Sequence, residues 1–142
     1  EMCIRDRSMT EGEFRYDHGD VAGLTPLMKM YTLGQDFVPD PIHSGGLRYH
    51  GMAPLVSHVK HLGLLDSIAV EQNVAFAAGV EFAKAEGIVP APESTHAIAG
   101  AVAEARKHTG EAGTGPSIVI GLSGHGFLDL PAYEAYVRGE LG

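Results

Sequence analysis

The stretch that most constrains this chain runs from Pro116 to Gly126, P-S-I-V-I-G-L-S-G-H-G, where four near-continuous apolar residues break into a Gly/Ser loop. An apolar run bounded by Gly and Pro, with no period-two alternation, predicts a strand covered on both faces in a parallel sheet. In such sheets ligands collect just past the carboxyl ends of the strands. Ser123 therefore stands where a bound group would lie. One chemistry for it is a nucleophile elbow, since Gly121-Leu122-Ser123 opens like G-x-S-x-G, but His125 occupies the place of the last small glycine. A second is a phosphate loop, yet Gly121, Gly124 and Gly126 are spaced wrongly for G-x-G-x-x-G and no lysine follows. A third is a neutral hydroxyl offered to a bound ring, with an ordinary Gly-rich turn as the plain alternative.

A length of 142 residues with 44% hydrophobic residues suffices for one domain with a real core. The net charge of -8 comes from scattered residues with no basic patch, which argues against a nucleic-acid surface. Apolar runs are far shorter than a membrane span and no charged-then-apolar leader opens the sequence, so a soluble, cytoplasmic protein without membrane partners is expected. Cys3 has no second cysteine to pair with, in keeping with a reducing compartment.

Residues 1–9, opening E-M-C-I-R-D-R, have no period and resemble translated adaptor sequence; they are expected to lie outside the domain formed by 10–142. Phe14 and Tyr16 alternate with charges and predict a short strand, followed by a loop and a second extended segment over 27–32. Pro and Gly dominate 38–51, a composition shared by binding loops and plain surface connections. A short helix is expected over 52–61, with Leu55, Val59 and Leu62 as its inward stripe and Gly63 ending it. His43, His50, His58 and His61 gather around it, but no carboxylate or cysteine completes a zinc ligand set. A short strand over 66–70 and a mostly buried helix over 71–86 follow, the helix carrying Val74, Ala78, Phe82 and Ala85 in one row and Phe76, Val80 and Ala83 in another. Pro90 and Pro92 then lead into a helix with Ser94 or Thr95 as N-cap, running to about His108. Glu93 sits at its N-terminus, where the helix dipole favours a carboxylate. Residues 110–115 are expected to turn into the central strand, and Asp129 to cap a last helix with Pro131 in its first turn.

Three stretches in order, H-S-G-G-L-R-Y-H-G-M (43–52), E-G-I-V-P-A-P-E-S-T-H-A (86–97) and I-V-I-G-L-S-G-H-G (118–126), resemble a tryptophan synthase beta chain, most closely the second, divergent type. The likeness runs over essentially 10–141. It implies an α/β chain forming part of the larger domain of a fold-type II pyridoxal 5'-phosphate enzyme, with a parallel sheet and flanking helices, that joins indole to a serine-type amino donor. It also implies a homodimer at full length and an alpha chain as possible partner. By the same resemblance Ser123 falls on the serine that hydrogen-bonds the pyridine nitrogen, with Gly124 beside it. Glu93 falls on the glutamate lying against the cofactor ring, and Gly46 on a glycine whose backbone approaches it. Arg48 stands where the commoner beta chains have an aspartate that contacts the serine hydroxyl, which brings phosphoserine into view as donor. His125, Phe127 and Leu128 replace Arg, Asp and Lys of the commoner S-G-R-G-D-K-D, and Tyr49 and Gly51 lie near carbonyls that bind a monovalent cation there.

A pyridoxal enzyme also needs a Schiff-base lysine and a loop of backbone N–H groups for the phosphate, which the family supplies as H-K-x-N and G-G-G-S-N. Asn73, set in E-Q-N-V, is the one asparagine of the sequence, so neither motif is present. Lys29, Lys60, Lys84 and Lys107 lack the family's context. The expectation is a C-terminal portion of a longer beta chain, inactive when isolated, that contributes one wall of an active site. A non-catalytic interaction module and a serine hydrolase using Ser123 are the alternatives.

Overall fold

The computed structural model describes residues 2–3, 7–108 and 115–141, which divide into two compact units, Glu1–Ala69 and Val70–Gly142. Helices and strands are both present. The sheets are a two-residue parallel pair, β1 (Met2–Cys3) with β4 (Ser67–Ile68), and an antiparallel hairpin, β2 (Glu13–Asp17) with β3 (Met28–Thr32).

In the first unit the hairpin sets Glu13 opposite Thr32 and Asp17 opposite Met28. Its connection is tied down by Asp20, whose carboxylate accepts the Leu24 N–H at 3.1 Å, the Thr25 N–H at 2.9 Å and the Thr25 hydroxyl at 2.7 Å. The Phe14 ring lies 5.2 Å from that of Tyr31 and stacks on His61 at 4.2 Å. Helix α1 (Arg7–Thr10) buries Ser8 and Met9, and the Met9 carbonyl accepts the Ser67 hydroxyl at 3.1 Å.

The helix expected over 52–61 forms as α2 (Pro54–His61), with Pro54 as its first residue, where a missing N–H costs nothing. Its inward residue is not the apolar stripe. Leu55 is 82% exposed while Ser57 is fully buried. Tyr31 points its N–H and carbonyl away from β2; the Ser57 hydroxyl oxygen accepts the N–H at 3.0 Å and Met52 N–H reaches the carbonyl at 2.9 Å. A leucine there would leave a buried donor unmet, so polar pairing prevails over periodicity.

The second unit is built from α3 (Gln72–Glu86), α4 (Pro92–Ala105) and α5 (Leu130–Arg138). Gln72, Ala75, Phe76 and Gly79 form the buried face of α3, at helical spacing. A methyl group on Gly79 would lie 2.5 Å from Thr95 Cγ2 and 2.9 Å from the Tyr133 hydroxyl, so glycine is what allows α3 this close to its neighbours. Phe76 packs with Ala132, Tyr133 and Leu141 as the core. The row through Val74, Ala78 and Phe82, expected to be covered, instead lines an open apolar groove with Ile98 and Val102 of α4, and Val74 is 57% exposed. Asp129 holds the N-cap position of α5, with Pro131 in the first turn.

Two further expectations are corrected. Residue Ala91, not Ser94 or Thr95, is the N-cap of α4, because Pro92 is preset for the first helical position; Thr95 folds its hydroxyl back onto the Pro92 carbonyl at 2.6 Å. The apolar run Ile118–Val119–Ile120 forms no strand, and Val119 is 94% exposed. The second unit holds no strand among its described residues, so this segment has no ladder partner there. The turn expected over 110–115 falls mostly on residues 109–114, outside the described residues. Among the described residues no helix is long and apolar enough to cross a membrane.

Candidate functional site

The loop over 121–126 is fastened to the segment that enters α4. Gly126 N–H donates to the Val89 carbonyl at 2.8 Å and Ala91 N–H to the Gly124 carbonyl at 2.9 Å, which makes an antiparallel bridge between Pro90 and His125. From below, the Tyr133 hydroxyl donates to the Pro90 carbonyl at 2.6 Å. Close approach requires small residues: a methyl group on Gly126 would run into the Pro90 carbonyl, and one on Gly124 would meet Ala91 Cβ at 3.2 Å.

This bridge sets Ser123 over the first turn of α4. The Ser94 hydroxyl oxygen accepts the Ser123 N–H at 3.2 Å, and the two hydroxyl oxygens are also 3.2 Å apart. Ser94 is buried and Ser123 exposed. Glu93, half-buried, precedes Ser94 in the same turn, at the positive end of the helix dipole. The structure thus brings Glu93, Ser123 and Gly124 together around the start of α4. The exposed Ser123 hydroxyl can donate to a ring heteroatom, and Glu93 supplies a carboxylate to the turn that holds it. His125 stacks obliquely on Phe127, ring centres 4.8 Å apart, and is not aligned with Ser123 by any hydrogen bond as a hydrolytic base would be.

Gly46 and Arg48 belong to the other unit. They lie on and just after a single 3-10 turn, Gly45–Leu47, in which Leu47 N–H donates to the Ser44 carbonyl at 2.9 Å. Arg48 is exposed and its guanidinium reaches the Pro39 carbonyl at 3.4 Å. It shares a shallow depression with Phe37, Ile42 and the Arg7–Asp40 ion pair, 2.9 Å. The carbonyl of His50, at the end of this loop, accepts the Leu33 N–H at 2.8 Å, and its ring bonds the His18 carbonyl at 2.8 Å.

The lysines have other occupations. Lys60 bonds the Ser67 hydroxyl, Lys84 pairs with Glu81 and Lys107 with Glu104, and Lys29 lies 5.0 Å over the Phe14 ring. Among the described residues no group of three or more His, Cys, Asp or Glu is placed to hold a metal.

Sequence reasoning missed three side-chain contacts. Ser94 was readable only as a cap, although Pro92 two residues earlier already fixes the helix start and frees Ser94 for another partner. Tyr133 was readable as packing, and its hydroxyl bond has no local signal. The buried Asp17 accepts the adjacent His18 N–H at 2.9 Å, and also Thr32 Oγ1 at 2.7 Å from across the hairpin, a partner that no local pattern marks.

No protein-family model matches the chain. Curated relatives do. It is 58% identical over 134 residues to the tryptophan synthase beta chain 2 of Aquifex aeolicus, covering 94% of this chain and 31% of that protein. Against tryptophan synthase beta chain 2 of Methanothermobacter thermautotrophicus the identity is 56% over 134 residues, 94% of this chain and 31% of the relative. Against the tryptophan synthase beta chain of Fervidobacterium nodosum it is 62% over 126 residues, 89% and 29%. The chain spans about 30% of the length of these relatives. Over nearly all of its own length, this chain therefore corresponds in sequence to part of a tryptophan synthase beta chain, with chains of the second type among its relatives.

Proposed function

We propose that residues 10–142 form the C-terminal part of a pyridoxal 5'-phosphate-dependent lyase of the tryptophan synthase beta type, which makes L-tryptophan from indole and serine or phosphoserine. The observation that carries this reading is the exposed Ser123 hydroxyl, held by the buried Ser94 beside Glu93 at the start of α4. These residues fit one edge of a pyridine ring: a neutral donor for its nitrogen, a glycine at the point of closest approach and a carboxylate alongside. They supply neither a Schiff-base lysine nor a phosphate cradle, so the fit is to the ring edge alone.

When bound, pyridoxal phosphate supplies a ring that accepts electrons from the substrate's α carbon. Ser123 hydrogen-bonds the ring nitrogen without giving up its proton, because a hydroxyl is a far weaker acid than a pyridinium. Glu93 holds a negative charge at the ring edge, stabilised by the helix start. Gly46 has no side chain to keep backbone from a ring, and Arg48 offers a planar guanidinium to an anionic group of the amino donor, carboxylate or phosphate. In the full-length enzyme the run over 118–120 takes its place in the parallel sheet of the fold-type II domain, covered by residues beyond this chain. A cytoplasmic homodimer, with an alpha chain delivering indole, completes the reading.

The test is tryptophan formation from indole and serine, and from indole and phosphoserine, by a beta chain of full family length carrying this segment. Tryptophan from either donor, lost when the Schiff-base lysine is replaced, supports the proposal. No tryptophan from either donor by a folded, pyridoxal-loaded chain overturns it.

A further inference from the structure

Arg48 has little of its own to hold it. Its backbone N–H donates to the Gly45 carbonyl at 3.3 Å and its guanidinium to the Pro39 carbonyl at 3.4 Å, both longer than the usual range for such bonds. Where it stands is therefore set by the fixed points that flank it in the chain. Two residues further on, a reach of at most about 7 Å of backbone, His50 is fastened twice. Its carbonyl accepts the Leu33 N–H at 2.8 Å, Gly51 bridges to Thr32, and the Met52 N–H donates to the Tyr31 carbonyl at 2.9 Å, so 50–52 lies along the edge of β3 away from β2. The His50 ring goes further: its Nε2 stands 2.8 Å from the His18 carbonyl, just past the end of β2. A carbonyl only accepts, so Nε2 carries the hydrogen. The connection it reaches is itself tied down, since the His18 N–H donates to the buried Asp17 carboxylate at 2.9 Å and the His18 ring bonds the Thr25 carbonyl at 2.7 Å.

We infer that His50 is a positioning residue for Arg48: by fastening the end of this loop to the hairpin, through its backbone to β3 and through its ring to the end of β2, it fixes where the guanidinium meets the anionic group of the amino donor. This rests on the proposed role of Arg48 as the donor's partner. With its Nε2–H committed to the His18 carbonyl, His50 acts through Arg48, so its effect falls on the use of the donor. A general defect in folding would weaken the use of indole as well.

The test uses a beta chain of full family length carrying this segment, with kcat/KM measured separately for indole and for the donor, serine or phosphoserine, from which it makes tryptophan. His50→Phe keeps a flat ring of similar size and removes the N–H. It should lower kcat/KM for the donor about fivefold, the worth of one neutral hydrogen bond, and leave that for indole unchanged. His50→Gln, which restores an N–H at similar reach, should return the donor value to near the parent's. In an Arg48→Ala background, itself poor in the use of the donor, His50→Phe should cost nothing further, because the two residues act as one unit. If His50→Phe does not fold, His50→Asn, whose N–H falls short of His18, carries the same comparison. The role of His50 is overturned, and that of Arg48 stands, if Arg48→Ala lowers the donor value while His50→Phe spares it, lowers both substrates' values equally, or adds its full loss on top of Arg48→Ala. Should Arg48→Ala itself keep the parent's donor value, Arg48 is not the donor's partner, and the present inference falls with that assignment.

Discussion

The Tyr133 hydroxyl and the Pro90 carbonyl meet at 2.6 Å, and this bond ties α5 to the segment from which both α4 and the site loop take their positions. Pro90 is almost wholly buried, so its carbonyl has no water to fall back on. Tyr133→Phe leaves that acceptor with an unmet valence and is expected to cost about 1–3 kcal/mol of stability in denaturant titration. Burial first, and then the nearby Asp129 carboxylate, push the Tyr133 phenol from 10.0 up to about 12. Between those values the unfolded chain releases a proton that the native chain retains, so the phenol's contribution to stability is full below pH 10, falls as pH rises and is lost through about pH 12. Tyr133→Phe should flatten this alkaline decline.

Gly79→Ala pits helix propensity against packing. Alanine favours an exposed helix interior by about 1 kcal/mol. Here its methyl group would stand 2.5 Å from Thr95 Cγ2 and 2.9 Å from the Tyr133 oxygen. Overpacking of this kind typically costs about 1–3 kcal/mol, so it prevails and the variant should melt earlier than the parent.

Asp17 predicts an acid limit for the hairpin. Burial pushes its carboxyl up, but the Thr32 hydroxyl, the His18 N–H and the charges of Arg15 and His50 together hold it below 3.8. Its contribution is therefore present above pH 3.8 and drains away as pH falls through the lower native value. Circular dichroism against pH should show this loss, and Asp17→Asn should remove the pH dependence while weakening the hairpin at neutral pH.

The elements with strong local signals were legible in the sequence: the Phe14–Tyr16 strand, α3 from its apolar rows, and α5 from Asp129 and Pro131. What failed was whatever depends on a partner remote in sequence. The inward side of α2 is chosen by the Tyr31 N–H that Ser57 satisfies, and no periodicity encodes that. The start of α4 was misplaced because Ser94 and Thr95 have the chemistry of caps, while Pro92 enforces an earlier start. The run over 118–120 has the composition of a covered strand, but a strand is defined by its neighbours, and the second unit offers none among its described residues. For the site, the contact of Ser123 with the turn bearing Glu93 was not visible in either motif alone; the glycines that permit it were.

That uncovered run should make the isolated chain self-associate. Val119 and Leu128 are 94% and 90% exposed, and Phe127 65%. Apolar surface of this kind binds hydrophobic dyes and other copies. Sedimentation velocity should show concentration-dependent association, and Val119→Lys should reduce both association and dye fluorescence.

The most direct test of the account concerns Ser123 in a beta chain of full family length carrying this segment. On the proposed reading, a neutral hydroxyl at the ring nitrogen would limit electron withdrawal from the substrate and so favour loss of its β substituent. Ser123→Asp places an anion there, raises the nitrogen's basicity and makes the ring a deeper electron sink. Ser123→Ala removes one neutral hydrogen bond, a loss of about 1 kcal/mol. The measurement is the ratio of tryptophan to transamination-type products from indole and serine. The account predicts a ratio that falls steeply, by about tenfold or more, in Ser123→Asp and only mildly in Ser123→Ala. A Ser123→Asp enzyme with the parent's product ratio and the parent's cofactor absorbance would contradict it.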